Sequence, residues 1–348
     1  MNYETTCLSC FREKGGQIHC PHCGFTEPAL RKKELLPART LLEGRYLIGE
    51  VLEINRMTAN YKALDIQENR TVEIKEFYPR EYAARHQSEH ILLPLSPEKG
   101  EAFFKAIRTK ESIGQFVCRF SDSDNLLDVY ECFRANNTVY LACEYLEGML
   151  LSDYLENCGG AVDSDTALTV AGSVLSGLDR LHKSGMIHRA IAPQNIFITV
   201  DDRIKIINFG FAKSTETETE PYTTLIFTPG YAAPEQSRAH RVQGPYTDIY
   251  AVGAMLYHML TGEKPSGALE RMAEDHLLPP AALNSEVSEA VNNAVMKALA
   301  IDPGDRFQSA EAFREALLTG NNSHAVTAGK KTGFARSLRS LLNISQND

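Results

Sequence analysis

Four of the chain's eight cysteines crowd into its first 23 residues, in the run CLSCFREKGGQIHCPHCGF. Cys7 and Cys10 form one CxxC pair, and Cys20 and Cys23 form another after a nine-residue gap. Each pair sets two thiolates on one turn, and two such turns close a tetrahedral Zn–S4 site. Gly24, directly after the second pair, permits the tight backbone turn that a knuckle needs. So few apolar residues accompany the cysteines that bound metal would have to supply the folding free energy. The expected ligands are therefore Cys7, Cys10, Cys20 and Cys23, holding a structural Zn2+ with no open coordination position. His19 or His22 replacing one cysteine is the alternative donor set. A redox CxxC is the alternative chemistry, but neither pair stands in a βαβ context. The remaining cysteines, Cys118, Cys132, Cys143 and Cys158, lie in apolar-rich sequence and read as small core residues.

The elements that would carry other chemistry follow. With 348 residues there is room for one large two-lobed domain or two ordinary ones. A net charge of −9 argues against nucleic acid as a partner, because phosphate binding needs a concentrated basic surface. No apolar run approaches the ~18–20 residues that span a bilayer, and the N-terminus has no apolar signal core, so a cytoplasmic location is expected. Residues 1–26 read as a zinc ribbon and 27–44, with Pro28, Pro37 and a basic cluster, as a linker. From Arg45 the runs RYLIGEVLE, TANYKALD and TVEIKEFY alternate apolar and polar residues as strands do, and LLDVYECF and TVYLACEYL follow a helical stretch near 98–120. After EGMLLSDYL the chain turns mostly helical. DTALTVAGSVLSGLDRLHKSG has helical spacing with Gly185 at its end, and DIYAVGAMLYHMLTG is an apolar helix ending at Gly262. Five strands followed by a helical half make an α+β arrangement of two lobes.

Residues 45–320 carry a series of short motifs in one order: VEIKEF, CEYLEG, HRAIAPQN, NFG, AAPE and DPGDRF. In that order they resemble the landmarks of the eukaryotic-type protein kinase domain, closest in texture to the serine/threonine kinases of clostridia and related bacteria. The resemblance implies a two-lobed fold with a five-stranded N-lobe and a helical C-lobe. It places the phosphate-binding lysine at Lys75, the gatekeeper at Cys143, metal ligands at Asn195 and Asn208, and a structural pair between Glu235 and Arg306.

Measured against that resemblance, the chemistry is changed at each part. Ala190 stands where the general base belongs. Asn208 keeps a carbonyl oxygen but lacks the charge that favours a hard Mg2+ ion. Glu53, Asn55 and Thr58 occupy the three glycine places of the phosphate loop, and Glu73 replaces the alanine that packs on adenine. Ile113 falls where the lysine's acidic partner belongs, with Glu111 two residues away. His188, Arg189, Asn195, Phe209, Gly210, Pro234, Glu235, Asp248, Gly253 and Arg306 keep the scaffold.

Scaffold kept and chemistry removed is the mark of a pseudokinase. The expectation is therefore a protein that is not an enzyme, acting as a regulatory or scaffolding partner of an active serine/threonine kinase or of its substrate. The alternative is a weak or divergent ATP-dependent phosphotransferase using Lys75, Asn195 and Asn208, or a switch that binds ATP without reacting. The Thr/Glu run from Thr215 to Glu220 reads as a solvated loop, with Thr223 and Thr224 as the sharper candidates for phosphorylation. Residues 321–348 read as a tail with a short basic amphipathic helix, FARSLRSLLNI, for which membrane contact is the less favoured role.

Overall fold

The structure is a computed structural model that describes residues 3–28, 31–86, 88–120, 123–209, 213–214, 228–237 and 242–319. Gly210, Thr223, Thr224, the Thr/Glu run and the 321–348 tail lie outside the described residues. The chain divides into two compact units, residues 1–122 with 127–145, and residues 123–126 with 146–348.

The first unit is built on an antiparallel sheet of strands β1 (Leu41–Leu42), β2 (Tyr46–Ile54), β3 (Thr58–Asp65), β4 (Arg70–Phe77), β7 (Val129–Ala135) and β8 (Thr138–Glu144). Their order across the sheet is β1-β2-β3-β4-β8-β7, so β1 adds a sixth strand to the expected five. A short hairpin of β5 (Ala83–Arg85) and β6 (Leu92–Pro94) precedes helix α1 (Pro97–Val117), which begins with proline at its first turn. α1 sends Phe103 and Ile107 into the core and brings Gly114 against β7 and β8. A Cβ on Gly114 would sit 2.6 Å from the Cys132 sulfur, so only glycine allows that approach.

The strand period decides what β4 presents to each side. Val72, Ile74 and Glu76 are buried on one face, while Glu73 and Lys75 share the other. Glu76 is thus a carboxylate inside an apolar core, and it is met by three donors. The Tyr61 hydroxyl donates at 2.9 Å, the Tyr140 hydroxyl at 2.5 Å and Arg85 Nη2 at 2.5 Å.

The cysteine module and the stretch read as a linker fall within this same unit. Leu35 and Leu36 are buried in its core. The Leu36 amide donates to the Tyr61 hydroxyl, and Arg85 Nε donates to the Glu34 carbonyl. The prolines and basic cluster read as a linker, but the paired leucines between them pack into the core of this unit.

The second unit holds a small sheet, in the order β12-β11-β9, of β9 (Gly148–Leu150), β11 (Ile196–Thr199) and β12 (Ile204–Ile206). β10 (Met186–Ile187) pairs with β13 (Lys213–Ser214). Helices α2 (Leu151–Asn157), α3 (Ser164–Lys183), α4 (Pro245–Thr261), α5 (Ala268–Ala273), α6 (Pro280–Leu283), α7 (Glu289–Ala298) and α8 (Ala310–Thr319) supply the rest. Asp163 caps α3 by accepting from the Thr166 amide at 2.9 Å, and Gly185 follows with φ +80°. α4 is buried nearly all round from Thr247 to Leu260, as its apolar sequence requires.

Cys143 is buried as expected, Cys118 and Cys132 are partly buried, and Cys158 is exposed, because it caps the end of α2 instead of packing beneath it. Among the described residues no helix is long and apolar enough to cross a membrane.

Arg85→Met leaves Glu76 buried without its cation and should destabilise the protein by about 3–5 kcal/mol. Chemical denaturation checks this. The double variant Arg85→Met/Glu76→Gln should recover part of the loss.

Candidate functional site

Four groups of residues bear on chemistry. In the cysteine module the sulfurs of Cys7, Cys10, Cys20 and Cys23 all lie within 4.8 Å of one another. Cys7 and Cys23 are 3.7 Å apart, and Cys10 and Cys20 are 3.6 Å apart. A tetrahedral ion with Zn–S bonds of about 2.3 Å has sulfurs on edges of about 3.8 Å, so the donors fit such an ion. Burial pushes the Cys20 thiol up. The backbone amides of His22 and Cys23, with the Cys10 and Cys7 thiols, outweigh it and bring Cys20 down to about 6. The alternative donors are engaged elsewhere, His19 Nδ1 with the Thr26 hydroxyl at 2.7 Å and His22 Nε2 with the Glu13 carbonyl at 3.1 Å.

The second group is the β2–β3 hairpin. At its tip Asn55 Oδ1 accepts from the amides of Met57 and Thr58 at 2.9 and 2.8 Å. A side chain therefore takes amides that, in a glycine-rich loop, would face phosphate. Glu53 accepts from Asn55 Nδ2 at 3.3 Å and from Asn60 Nδ2 at 3.4 Å. This hairpin does not fit the glycine-loop cradle for a triphosphate.

Beside it on β4 is the third group. Lys75 Nζ lies 3.6 Å from Glu73 Oε1, two residues back on the same face. Burial opposes the charged amine, but Glu73, the Cys143 thiol and Glu53 outweigh it and hold the lysine above its ordinary range. Glu73 is thus an in-strand acid for Lys75. Glu111, the acid two residues from Ile113, bonds Arg134 on β7.

The fourth group, in the second unit, runs from β10 to Asn208. Asp248 on α4 has no solvent exposure and accepts from the His188 amide at 2.8 Å, the Arg189 amide at 2.7 Å and His182 Nε2 at 2.8 Å. Burial raises its carboxyl, but the bond and charge of His182, with His188, outweigh this and keep it below the usual range. Those bonds hold Arg189 at φ +69°, a left-handed conformation that is unfavourable for arginine without such support. His188 Nε2 donates to the Ile207 carbonyl at 3.1 Å, and the ring stands edge-on to Phe209. Burial lowers its pKa, so the imidazole is neutral.

Ala190 is buried, and its carbonyl accepts from Asn195 Nδ2 at 2.7 Å. Asn208, at φ +64°, donates from Nδ2 to Asn195 Oδ1 at 3.0 Å. The structure thus brings Asn195 and Asn208 together, but as neutral amides bonded to each other. Such a donor set does not fit a hard divalent cation.

The fold's second buried carboxylate in this unit is Glu235. It receives Arg306 Nη1 at 2.8 Å, Arg306 Nη2 at 3.1 Å and the Thr247 hydroxyl at 2.8 Å. Arg306 spends its remaining donors on the carbonyls of Tyr246, Ala300 and Ile301.

Sequence reasoning missed His182, Glu76 and Gln236. Gln236 joins the residues after Pro234 to the loop by donating to the Arg189 carbonyl at 2.8 Å. Glu76 was findable, since V-x-I-x-E alternation puts it on the apolar face; His182 and Gln236 carry no such mark.

The protein kinase domain model matches residues 105–318. A probable serine/threonine-protein kinase of Clostridium acetobutylicum is 28% identical over 293 residues, covering 82% of this chain and 41% of that protein. The serine/threonine-protein kinase PknB of Mycobacterium tuberculosis is 28% identical over 303 residues, covering 83% of this chain and 45% of that protein. The chain therefore spans less than half the length of either relative. A solved structure of PpkA-294 in its apo form is similar with a TM-score of 0.70 and 26% identity, over 82% of this chain and 99% of that one.

One expectation is corrected here. The chain was expected not to be an enzyme, but its relatives bear the names of serine/threonine-protein kinases and share the kinase domain.

Asp248→Asn should lower the unfolding free energy at neutral pH by about 2–4 kcal/mol, through weakened charge-assisted bonds to the two loop amides and His182. Because the folded carboxyl lies below its unfolded value of about 3.9, its contribution is full above that pH and is lost as pH falls through the folded value. Urea unfolding across the acid range should show a steeper fall below about pH 4 in the parent than in the variant.

Proposed function

Because this chain belongs to the protein kinase family, in its bacterial eukaryotic-type serine/threonine branch, we propose that it is a divergent ATP-dependent phosphotransferase acting slowly on serine or threonine of a protein. The observation that carries this reading is the completed loop frame. Both amides of His188 and Arg189 are fixed on Asp248, and Asn195 closes the loop on the Ala190 carbonyl. A backbone held in a left-handed conformation by a buried charge is a costly arrangement to keep.

What each residue contributes follows from its surroundings. Lys75, charged and held by Glu73, is the group for the anionic phosphates. Because Glu73 already offsets part of that charge and the hairpin amides are taken, ATP binding is weak. The Asn195–Asn208 amide pair supplies no carboxylate to a metal, so the reading assigns no role to a protein-bound magnesium ion. Ala190 removes the base, and the acceptor hydroxyl must lose its proton to water or phosphate. Absence of a general base lowers the rate by about 10²–10⁴.

The cysteine module, in the same reading, binds zinc through Cys7, Cys10, Cys20 and Cys23. The ion would supply cross-linking of the two turns, and the four thiolates fill its coordination. The net charge of −9 favours a protein acceptor over nucleic acid.

Two measurements test these assignments. Transfer of labelled phosphate from ATP to a mixed protein substrate should be slow, abolished in Lys75→Ala, and raised about 10²-fold or more in Ala190→Asp. Transfer no greater than in the Lys75→Ala control would sink the phosphotransferase reading. Elemental analysis should find zinc at one ion per chain in the purified protein, and Cys7→Ser/Cys20→Ser should lose it.

A further inference from the structure

We infer that the four-cysteine centre fixes the β2–β3 hairpin through a seam at Gly49, so that loss of the metal loosens that hairpin before the rest of the first unit. The inference rests on the reading of the module as metal-binding and extends it to a second place on the sheet.

The seam begins inside the first knuckle. Leu8 and Ser9 lie between the ligands Cys7 and Cys10, so their conformation is set by the turn that holds the metal. The Leu8 carbonyl accepts from the Glu50 amide at 2.9 Å, and the Ser9 hydroxyl donates to Glu50 Oε1 at 3.1 Å. Gly49 is what allows this approach. A Cβ there would lie 2.2 Å from the Leu8 carbonyl oxygen and 2.7 Å from Cζ of Phe11. No larger residue fits without moving the knuckle.

The contact falls where β2 departs from its partner. Ile48 pairs with Ala63, Val51 with Tyr61 and Glu53 with Asn60, with register shifts on both sides of Val51. A bulge leaves backbone groups without a ladder partner and bends the strand. Here the knuckle's own carbonyl takes the Glu50 amide within the irregular segment. The cysteine turn therefore completes the bulge, and the bulge aims the last residues of β2, Glu53 included, at the hairpin tip.

Other bonds make the knuckle and sheet one body. Phe11, at φ +56° and almost fully buried, packs on Leu47 and Leu64. Arg39 donates to the carbonyls of Tyr3 and Thr6 and pairs with Glu27. From the other side Arg31 Nη1 donates to the Gly49 carbonyl at 2.9 Å.

Hydrogen exchange on the full chain, with zinc content measured in parallel, tests the coupling. Removing zinc with a chelator should speed exchange at Glu50 and Asn60 by about tenfold or more, while β8 and α4 keep their protection. Gly49→Ala retains all four cysteines. It should keep its zinc and show the same local acceleration, and adding Zn2+ should not reverse it, whereas Zn2+ should restore the chelated parent. Unchanged exchange at these amides after confirmed zinc loss, or parent-like protection in zinc-loaded Gly49→Ala, overturns the inference and leaves the metal site standing. A chain that neither carries nor takes up zinc overturns the metal reading and the inference together.

Discussion

The carboxylate of Asp248 is charged where water does not reach it, and much of the second unit is arranged to meet that charge. Desolvating an isolated carboxylate is prohibitive, so its lone pairs must be filled by donors that cannot leave. Two of the donors are consecutive backbone amides, His188 and Arg189, from a loop about 60 positions away in the chain. Consecutive amides point at one carboxylate only if the chain turns sharply between them, and the left-handed φ of Arg189 is that turn. His182, the third donor, answers the same requirement. Glu235 with Arg306 and Glu76 with Arg85 obey it too, and in each the partners lie apart in sequence. Replacing such a pair by apolar residues can be neutral, whereas removing one member is not. These ion pairs therefore select one arrangement of segments more than they add stability.

In each unit, taken by itself, charge stands differently from the usual kinase pattern. A kinase of the usual kind sets acids on metal ions and leaves its phosphate loop as bare amides. Here the acids are in the first unit, at Glu53 and Glu73, and the amides are in the second, at Asn195 and Asn208. Three of the altered residues have a local partner: Glu73 has Lys75, Asn55 has the hairpin amides, and Asn208 has Asn195. These have been absorbed into the hydrogen bonding of their own elements, so ligand binding would have to break bonds that a typical kinase leaves open.

How much of this was legible depended on how local each cause is. The strands and helices followed from period and from glycine punctuation, as at Gly185 and Gly262. The grouping of the four cysteines followed from spacing. The frame residues His188, Asn195, Glu235 and Arg306 were legible because their motifs stand in order. What escaped was set by packing between segments far apart in the chain. Leu35 and Leu36 look like any pair in a proline-bearing stretch until the sheet that needs them is seen. Gln236 and His182 act through single bonds to distant backbone or side chains, which no periodicity announces. Ala190 and Asn208 mislead most, since residue identity shows what a side chain lacks but not how well its loop is held.

The burial of Phe11, Leu35 and Leu36 bears on descent. A ribbon on a flexible tether can be gained, lost or exchanged among proteins without consulting its neighbour. This one shares its packing with β2 and β3, and it shares a backbone bond with a strand irregularity that only glycine permits. The cysteine module and the sheet must therefore change together. A lineage that shed the cysteines would also have to refill the space over Leu47 and Leu64 and straighten β2, whereas one that kept them would be held to glycine at position 49.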